Sequence, residues 1–470
     1  MDELKEIIEE LDILIENHDY YAIKLLLKDL EPADLSIILE EFPKKIGTLF
    51  RLLPKDLAAE CFVEMESENQ EELLSSFTDN EIKEVMDELY IDDTVDIIEE
   101  MPANVVKRIL YNSDPETRKI INEILKYPDE SAGSIMTTEY VHLDENITVE
   151  DALKRIRRTG LDKETIYTCY VTSQDRTLLG YVTAKQLLLA DDETIISDIM
   201  DKNIIFVHTH EDKEFVALEM SKYDLLALPV VDNENRLVGI VTVDDAIDVM
   251  EEEATEDIEK MAAMTPSDKP YLQTSVFDIW RNRIPWLIIL MLSATFTSTI
   301  ISSFDDKLAA CIVLNAFIPM IMGSGGNAGG QTSVTIIRGL AIDEIRVSDV
   351  FKIILKEARV SFLCGTTLAL ATFVKILFID YKLLNIFTPF YPNNVDILYF
   401  DPNVIRIACV VSLTILLTII SAKLIGCLLP IFAKKVKLDP AVMASPLITT
   451  VVDVLSLLIY IGTASLFLLI

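Results

Sequence analysis

One carboxylate stands inside an otherwise apolar stretch near the end of the chain: Asp453, in Ser445-Pro446-Leu-Ile-Thr449-Thr450-Val-Val-Asp453-Val-Leu-Ser456. A charge in hydrocarbon costs about 2.5–3.5 kcal/mol on insertion scales and by default marks an ion path. On a helix, Thr449, Thr450 and Ser456 share its face. Pro446 is expected to kink that helix and free carbonyls. A second candidate runs from Pro319 to Gln331, where Gly323, Gly325, Gly326, Gly329 and Gly330 accompany Asn327. Glycine costs a helix about 1 kcal/mol per residue, so this span is expected to loosen or break and offer oxygens to a cation. Two plainer readings stay open: small residues packing helices closely, and Asp453 hydrogen-bonded to a neighbouring span. A carboxylate with amides and hydroxyls is a hard-oxygen set, unsuited to thiophilic or imidazole-seeking metals. It suits hydrated Mg2+, which keeps several waters and needs few carboxylates.

A third stretch is electrostatic. In Asp244 to Met261, Asp245, Asp248, Glu252, Glu256 and Glu259 fall in one helical stripe. Ile247, Met250, Ala254, Ile258 and Met261 lie on the other side. Like charges one turn apart each destabilise by a few tenths of a kcal/mol. Such a face approaches another acidic surface only with cations between them. The alternative is a solvated face. Because the helix leads into the apolar half, we read it as a cation-sensitive lever.

These residues need two solvents. Residues 1–270 hold 65 acids against 26 Lys or Arg, whereas residues 271–470 hold 12 against 15. The acidity belongs to a soluble part, and nucleic acid, which requires a basic surface, is excluded as a partner. Residues 1–128 show short capped amphipathic segments (34–42, 55–65, 80–89, 94–101, 103–110 and 115–125), too short to stand alone and read as an α-solenoid. Residues 129–254 contain a repeat (129–195 and 196–254): Ser134-Ile-Met136 recurs as Asp198-Ile-Met200, and Leu179-Gly180-Tyr-Val-Thr183 as Val238-Gly239-Ile-Val-Thr242. Each copy is an α/β unit with a small sheet. Residues 245–275 form the acidic connecting helix. Residues 276–470 carry five apolar segments of spanning length, about 284–303, 308–337, 358–379, 403–429 and 441–468.

Arg281, Arg283, Arg338, Arg346, Lys352, Lys356, Arg359, Lys434, Lys435 and Lys437 mark inside faces, opposite loops holding Asp305, Asp306, Asp380, Asp396 and Asp401. The acidic domains are therefore expected in the cytoplasm and the C-terminus outside, in a multi-pass cell-membrane protein. The start of the chain lacks the basic and apolar regions of a cleaved signal. Six scattered cysteines argue against disulfides and zinc. No nucleophile–base set points to an enzyme.

The repeat resembles a tandem CBS pair, most clearly at Leu228-Pro-Val-Val-Asp232 through Asp245. CBS pairs often bind adenine nucleotides such as ATP. Their Gly-h-h-Ser/Thr-x-x-Asp motif is kept in copy two as Gly239, Thr242 and Asp245, but copy one has Gln186 at the last position. The whole chain resembles the MgtE-type magnesium channel or transporter family, through Pro319 to Gln331 and Asp439-Pro440 with Thr449-Thr450-x-x-Asp453. The resemblance implies a homodimer in the lipid bilayer, with the second and fifth spans lining a pore and Asp453 holding hydrated Mg2+. Asn327, Thr449 and Thr450 fall on pore positions. It implies Mg2+-sensing acids at Glu60, Asp92 and Asp96 on the helical domain and at Asp212, Glu214 and Asp224 on the CBS pair. On the connecting helix these are Asp245, Asp248, Glu253, Glu256 and Asp257, with Asp439 as an inner-mouth gate. Ser445 departs from the Asn of many relatives. The function expected is Mg2+ uptake gated by cytoplasmic Mg2+. A nucleotide-regulated divalent exporter and a non-transporting, membrane-anchored CBS sensor are the alternatives.

Overall fold

The computed structural model describes residues 2–267, 271–272, 274–304, 312–380, 402–443 and 445–468. Contacts divide it into two units, Met1–Met250 and Glu251–Ile470.

The first unit begins with ten helices, α1 (Asp2–Glu16) to α10 (Pro115–Ile124). Their starts are written locally. Thr78 and Glu81 close a capping box, and Asp114 accepts from the backbone N–H of Glu116 and Thr117 ahead of Pro115. Each helix buries only a few apolar residues, and together these form one core from Leu11 to Ile124 that continues into Val216, Val230 and Val249 of the second α/β repeat. The helical domain and the repeats are thus cemented by hydrophobic burial rather than merely tethered.

The repeats show identical topology. Strands β1 (Tyr140–Asp144), β2 (Thr165–Thr172) and β3 (Leu178–Thr183) lie in that order, β1–β2 parallel and β2–β3 antiparallel. Strands β4 (Val207–His208), β5 (Ala227–Val231) and β6 (Leu237–Thr242) repeat the arrangement. Gly180 pairs with Val171, and Gly239 with Val230. At Gly239 a Cβ would lie 2.6 Å from the Met136 sulfur and 2.8 Å from the Thr137 carbonyl oxygen, so the segment entering the pair requires glycine there.

Helices α11 (Val149–Thr159), α12 (Ala184–Leu189), α13 (Ile196–Ile199) and α14 (Lys213–Tyr223) belong to the repeats, and the acidic helix, α15, follows as Val243–Met261, shorter than the 245–275 expected. Its packed residues are Ala246 and Val249, while Ile247, Met250 and Ile258 of the expected apolar side are exposed.

The second unit holds α16 (Val276–Ser303), α17 (Ile318–Ala341), α18 (Val350–Lys375), α19 (Pro402–Lys435) and α20 (Ser445–Leu468). Among the described residues four segments, not five, are long and apolar enough to cross a membrane: Val276–Ser303, Val347–Ile379, Ile405–Lys435 and Ala441–Phe467. The 24-residue α17, which bears the glycines, is long enough but less apolar. It is also continuous, against the expectation of a break. A backbone without water satisfies its polar groups internally and stays helical whatever glycine's cost in water. The expected kink is absent as well: Pro446 lies in the first turn of α20, where no intrahelical N–H is lost. The loops with Asp305, Asp306, Asp396 and Asp401 lie outside the described residues.

Candidate functional site

Three groupings of the chemistry-bearing residues emerge. In the first unit, the N-terminal turn of α8 (Ile91–Glu100) supplies Asp92 and Asp93, and that of α15 supplies Asp244 and Asp245. Helix N-termini favour anions, which explains four acids at two helix starts. Glu139 Oε2 accepts from the Ile91 N–H at 3.0 Å, and the Glu164 N–H donates to the Glu139 carbonyl at 2.9 Å, bringing the first repeat into the same place. Asp92 is 5% exposed, and its Oδ1, like Glu164 Oε2, is buried without a hydrogen-bond partner.

Crowded carboxylates resist ionisation. Burial, then Asp245 and Asp93, holds the Asp92 carboxyl well above its ordinary range. Burial followed by Asp245 pushes Asp93 to about 7, and burial followed by Asp244 and Asp93 pushes Glu164 to about 8. Asp245 rises to about 6 through burial, opposed by its hydrogen bond from Thr242. Among the described residues no three His, Cys, Asp or Glu side chains are grouped as a dehydrated metal would need. A cation that keeps its water shell fits such spaced carboxylates.

In the second unit, Lys260 Nζ lies 2.7 Å from Glu256 Oε1 and 2.8 Å from Asp439 Oδ2, bridging the lower half of α15 to the turn before α20. Burial works against this ammonium, yet hydrogen bonds to Asp439 and Glu256 hold its pKa above the ordinary value. Asp257 is raised by burial and then by Asp439. Asp439 Oδ1 also accepts from the Ala441 N–H. Asp439 therefore faces α15 across Lys260.

The third grouping surrounds Asp453 on α20. Asp453 is half-buried, and among the described residues no hydrogen bond or ion pair reaches it. The polar residues near it divide between two neighbouring helices, Thr449 and Ser456 toward α17 and Thr450 toward α16. Ser456 is buried, Gly326 opens toward Thr449, and Gly325 opens toward Ser456 and Val452. Thr450 Oγ1 instead meets the Pro446 carbonyl and Ser293 of α16. Asn327 and Gln331 lie on the exposed side of α17.

The remaining sensing candidates are dispersed. Glu60, Asp96 and Asp248 are exposed on their helices, and Glu253 is partly buried. Asp212 caps the helix Lys213–Tyr223 by accepting from the Glu214 N–H, and Asp224 closes that helix in the left-handed region at φ 52°. Thr242 and Asp245 bond each other beside the acids of α8, so the copy-two nucleotide motif has a negative wall. Gln186 of copy one is held in a capping box with Thr183. Sequence reasoning missed Glu139 and Glu164. They lie in connections ahead of β1 and β2, where no periodicity singles out an acid.

Helical and CBS-like domains, joined in one chain to apolar spans with an intramembrane carboxylate, define a membrane transporter, not an enzyme. The family signature "Divalent cation transporter" matches residues 318–463, "MgtE intracellular N domain" residues 30–130, and "CBS domain" residues 132–193 and 196–252. The chain is 34% identical to the magnesium transporter MgtE of Thermus thermophilus over 97% of each chain. It is 32% identical to that of Bacillus subtilis over 98% of this chain and 97% of that one. The cytosolic domain of the Mg2+ channel MgtE, solved in complex with ATP, is 36% identical with a TM-score of 0.50, covering 52% of this chain and 99% of that one. The soluble part of a magnesium transporter matches at 32% identity and a TM-score of 0.50, over 53% of this chain and 99% of that one. The chain belongs to the MgtE family of magnesium transporters.

Proposed function

We propose that the protein takes up Mg2+ through a pore beside Asp453 and Asn327, and that cytoplasmic Mg2+ closes this pore by neutralising acids on α8 and α15. The observation that carries the gating is the junction of Asp92, Asp93, Glu139, Glu164, Asp244 and Asp245, with a buried Asp92 oxygen left unpartnered. With Mg2+ the acids tolerate one another and the domains stay packed. Without it, repulsion favours separation. Such a shift requires ions to bind the packed state more tightly by several kcal/mol in total, a sum that several hydrated sites supply together.

The domains divide as 1–128, 129–254, 245–275 and 276–470, with the acidic domains in the cytoplasm and the C-terminus outside. Two copies form the pore. Support for a dimer comes from Ile247 and Met250, which lie exposed on α15 in the single chain. The ATP complex of a relative supports an adenine nucleotide at the CBS pair. The wall beside Asp245 favours copy two only for a nucleotide whose phosphates point away from it.

Two measurements in reconstituted vesicles test this reading. Asp453→Ala is expected to abolish Mg2+ uptake while the protein stays folded, and retained uptake removes Asp453 from the path. Neutralising Asp245, Asp248 and Glu256 together is expected to shift the internal Mg2+ that half-closes the pore by at least several-fold. An unshifted midpoint removes these acids from the sensor.

A further inference from the structure

The membrane unit buries a lysine ammonium. Lys423 on α19 is 6% exposed, and its Nζ donates to Thr332 Oγ1 at 3.2 Å. Thr332, 3% exposed on α17, donates in turn to Glu357 Oε2 on α18, also at 3.2 Å. No direct ion pair joins Lys423 to Glu357 among the described residues. A hydroxyl both accepts and donates, so one threonine links a cation and an anion on two flanking helices. Intramembrane charges are rare and costly, and by default they are functional.

The neighbouring contacts show what this bridge holds. On the same face of α19, a Cβ at Gly426 would stand 2.4 Å from the Gly329 carbonyl oxygen, so the two backbones touch. Two turns beyond Gly426, Lys434 Nζ donates to the Leu340 carbonyl at 2.6 Å. The α20 side of α17 is equally tight: a Cβ on Gly325, Gly326 or Gly329 would each lie 2.9 Å from Val452, Thr449 or Ile448 respectively. The glycine helix is thus clamped between α19 and the helix of Asp453. A slide of α17 along α19 breaks the Lys423 bridge, and α19 is itself tied to the Asp453 helix where the Thr414 and Thr463 hydroxyls meet at 2.7 Å.

We propose that Lys423 is a positioning residue for ion passage: through Thr332 and Glu357 it fixes the height and rotation of α17 against the Asp453 helix. This rests on the reading that Asp453 and Asn327 line the path, which Asp453→Ala tests independently. Removing one member of a buried charge pair strands the other, whereas removing both is well tolerated.

The test uses full-length protein in vesicles, with half-saturating external Mg2+, maximal uptake per folded protein and melting temperature measured together. Lys423→Met and Glu357→Gln are each expected to change half-saturation at least fivefold in folded protein. Lys423→Arg is expected to stay within twofold of the parent, and Lys423→Met with Glu357→Gln to return to within about threefold. A fall in melting temperature or yield with unaltered half-saturation means a merely structural brace and overturns the proposal. A double variant no better than Lys423→Met alone overturns it too, because charge balance across Thr332 is then not what matters.

Discussion

Asp92 concentrates the logic of the proposed sensor in one side chain. Its Oδ1 is buried without a partner, and Asp245, Asp93 and Glu164 all oppose its ionisation after burial itself. An unsatisfied buried polar group costs about 1–3 kcal/mol, and more when charged. Asparagine keeps the shape, loses the charge and offers an N–H to a neighbouring carboxylate. Asp92→Asn is therefore expected to raise the melting temperature in chelator by several degrees and to reduce the further rise that Mg2+ produces by at least half. Thermal unfolding of full-length protein with and without millimolar Mg2+ checks both. A lower melting temperature in chelator means that Asp92 is an ordinary structural acid.

Among the elements, the glycine helix shows how legibility depends on the solvent. The five clustered glycines of α17, Gly323 to Gly330, were legible as special, but a scale of helix cost measured in water pointed to a break. In a bilayer the backbone keeps its bonds, and the absent side chains allow α19 and α20 to approach. These glycines are consequently not equivalent. Gly426→Ala places a Cβ 2.4 Å from the Gly329 carbonyl oxygen, where backbone must move, whereas nothing lies within 4 Å of a Cβ at Gly323. Overpacking costs about 1–3 kcal/mol, so Gly426→Ala is expected to lower the melting temperature clearly. Gly323→Ala is expected to leave it level or raise it by the helix preference of alanine. Equal effects would place the tight contact elsewhere. In the soluble part, capped helices and the repeat were readable because caps and paired strands leave local marks: Thr78 with Glu81, and Gly180 with Gly239. Helix α6 (Ser67–Ser76) was not readable, since only Gln70, Leu73 and Leu74 of its ten residues are buried. Nor was the packed side of α15, because Ala246 and Val249 weigh less in a periodicity than the exposed Ile247, Met250 and Ile258.

For the whole molecule, the Mg2+ binding proposed at the junction would compete with protons for the same carboxylates, so pH and metal dependence should be coupled. Asp245, Asp93 and Glu164 hold folded pKa values of about 6, 7 and 8, all above the ordinary carboxylate range. Between the unfolded values near 4 and these raised values, the folded state binds more protons than the unfolded one. Stability must then fall as pH rises. The stabilising contribution is complete below pH 4, falls progressively above it, each group adding to the slope up to its own folded value, and is gone by about pH 8, opposite to an acid held in a salt bridge. A cation that binds the ionised, packed junction supplies through mass action what the departing protons remove. In chelator, the melting temperature of the soluble transition should therefore drop from pH 6 to pH 8. In millimolar Mg2+ it should stay nearly level, so that the benefit of Mg2+ grows with pH and almost disappears at pH 5. Differential scanning calorimetry of the full chain across these conditions checks the coupling. A Mg2+ benefit that is the same at pH 5 and pH 8 would show that the ion acts somewhere other than on these carboxylates, leaving the junction without a part in sensing.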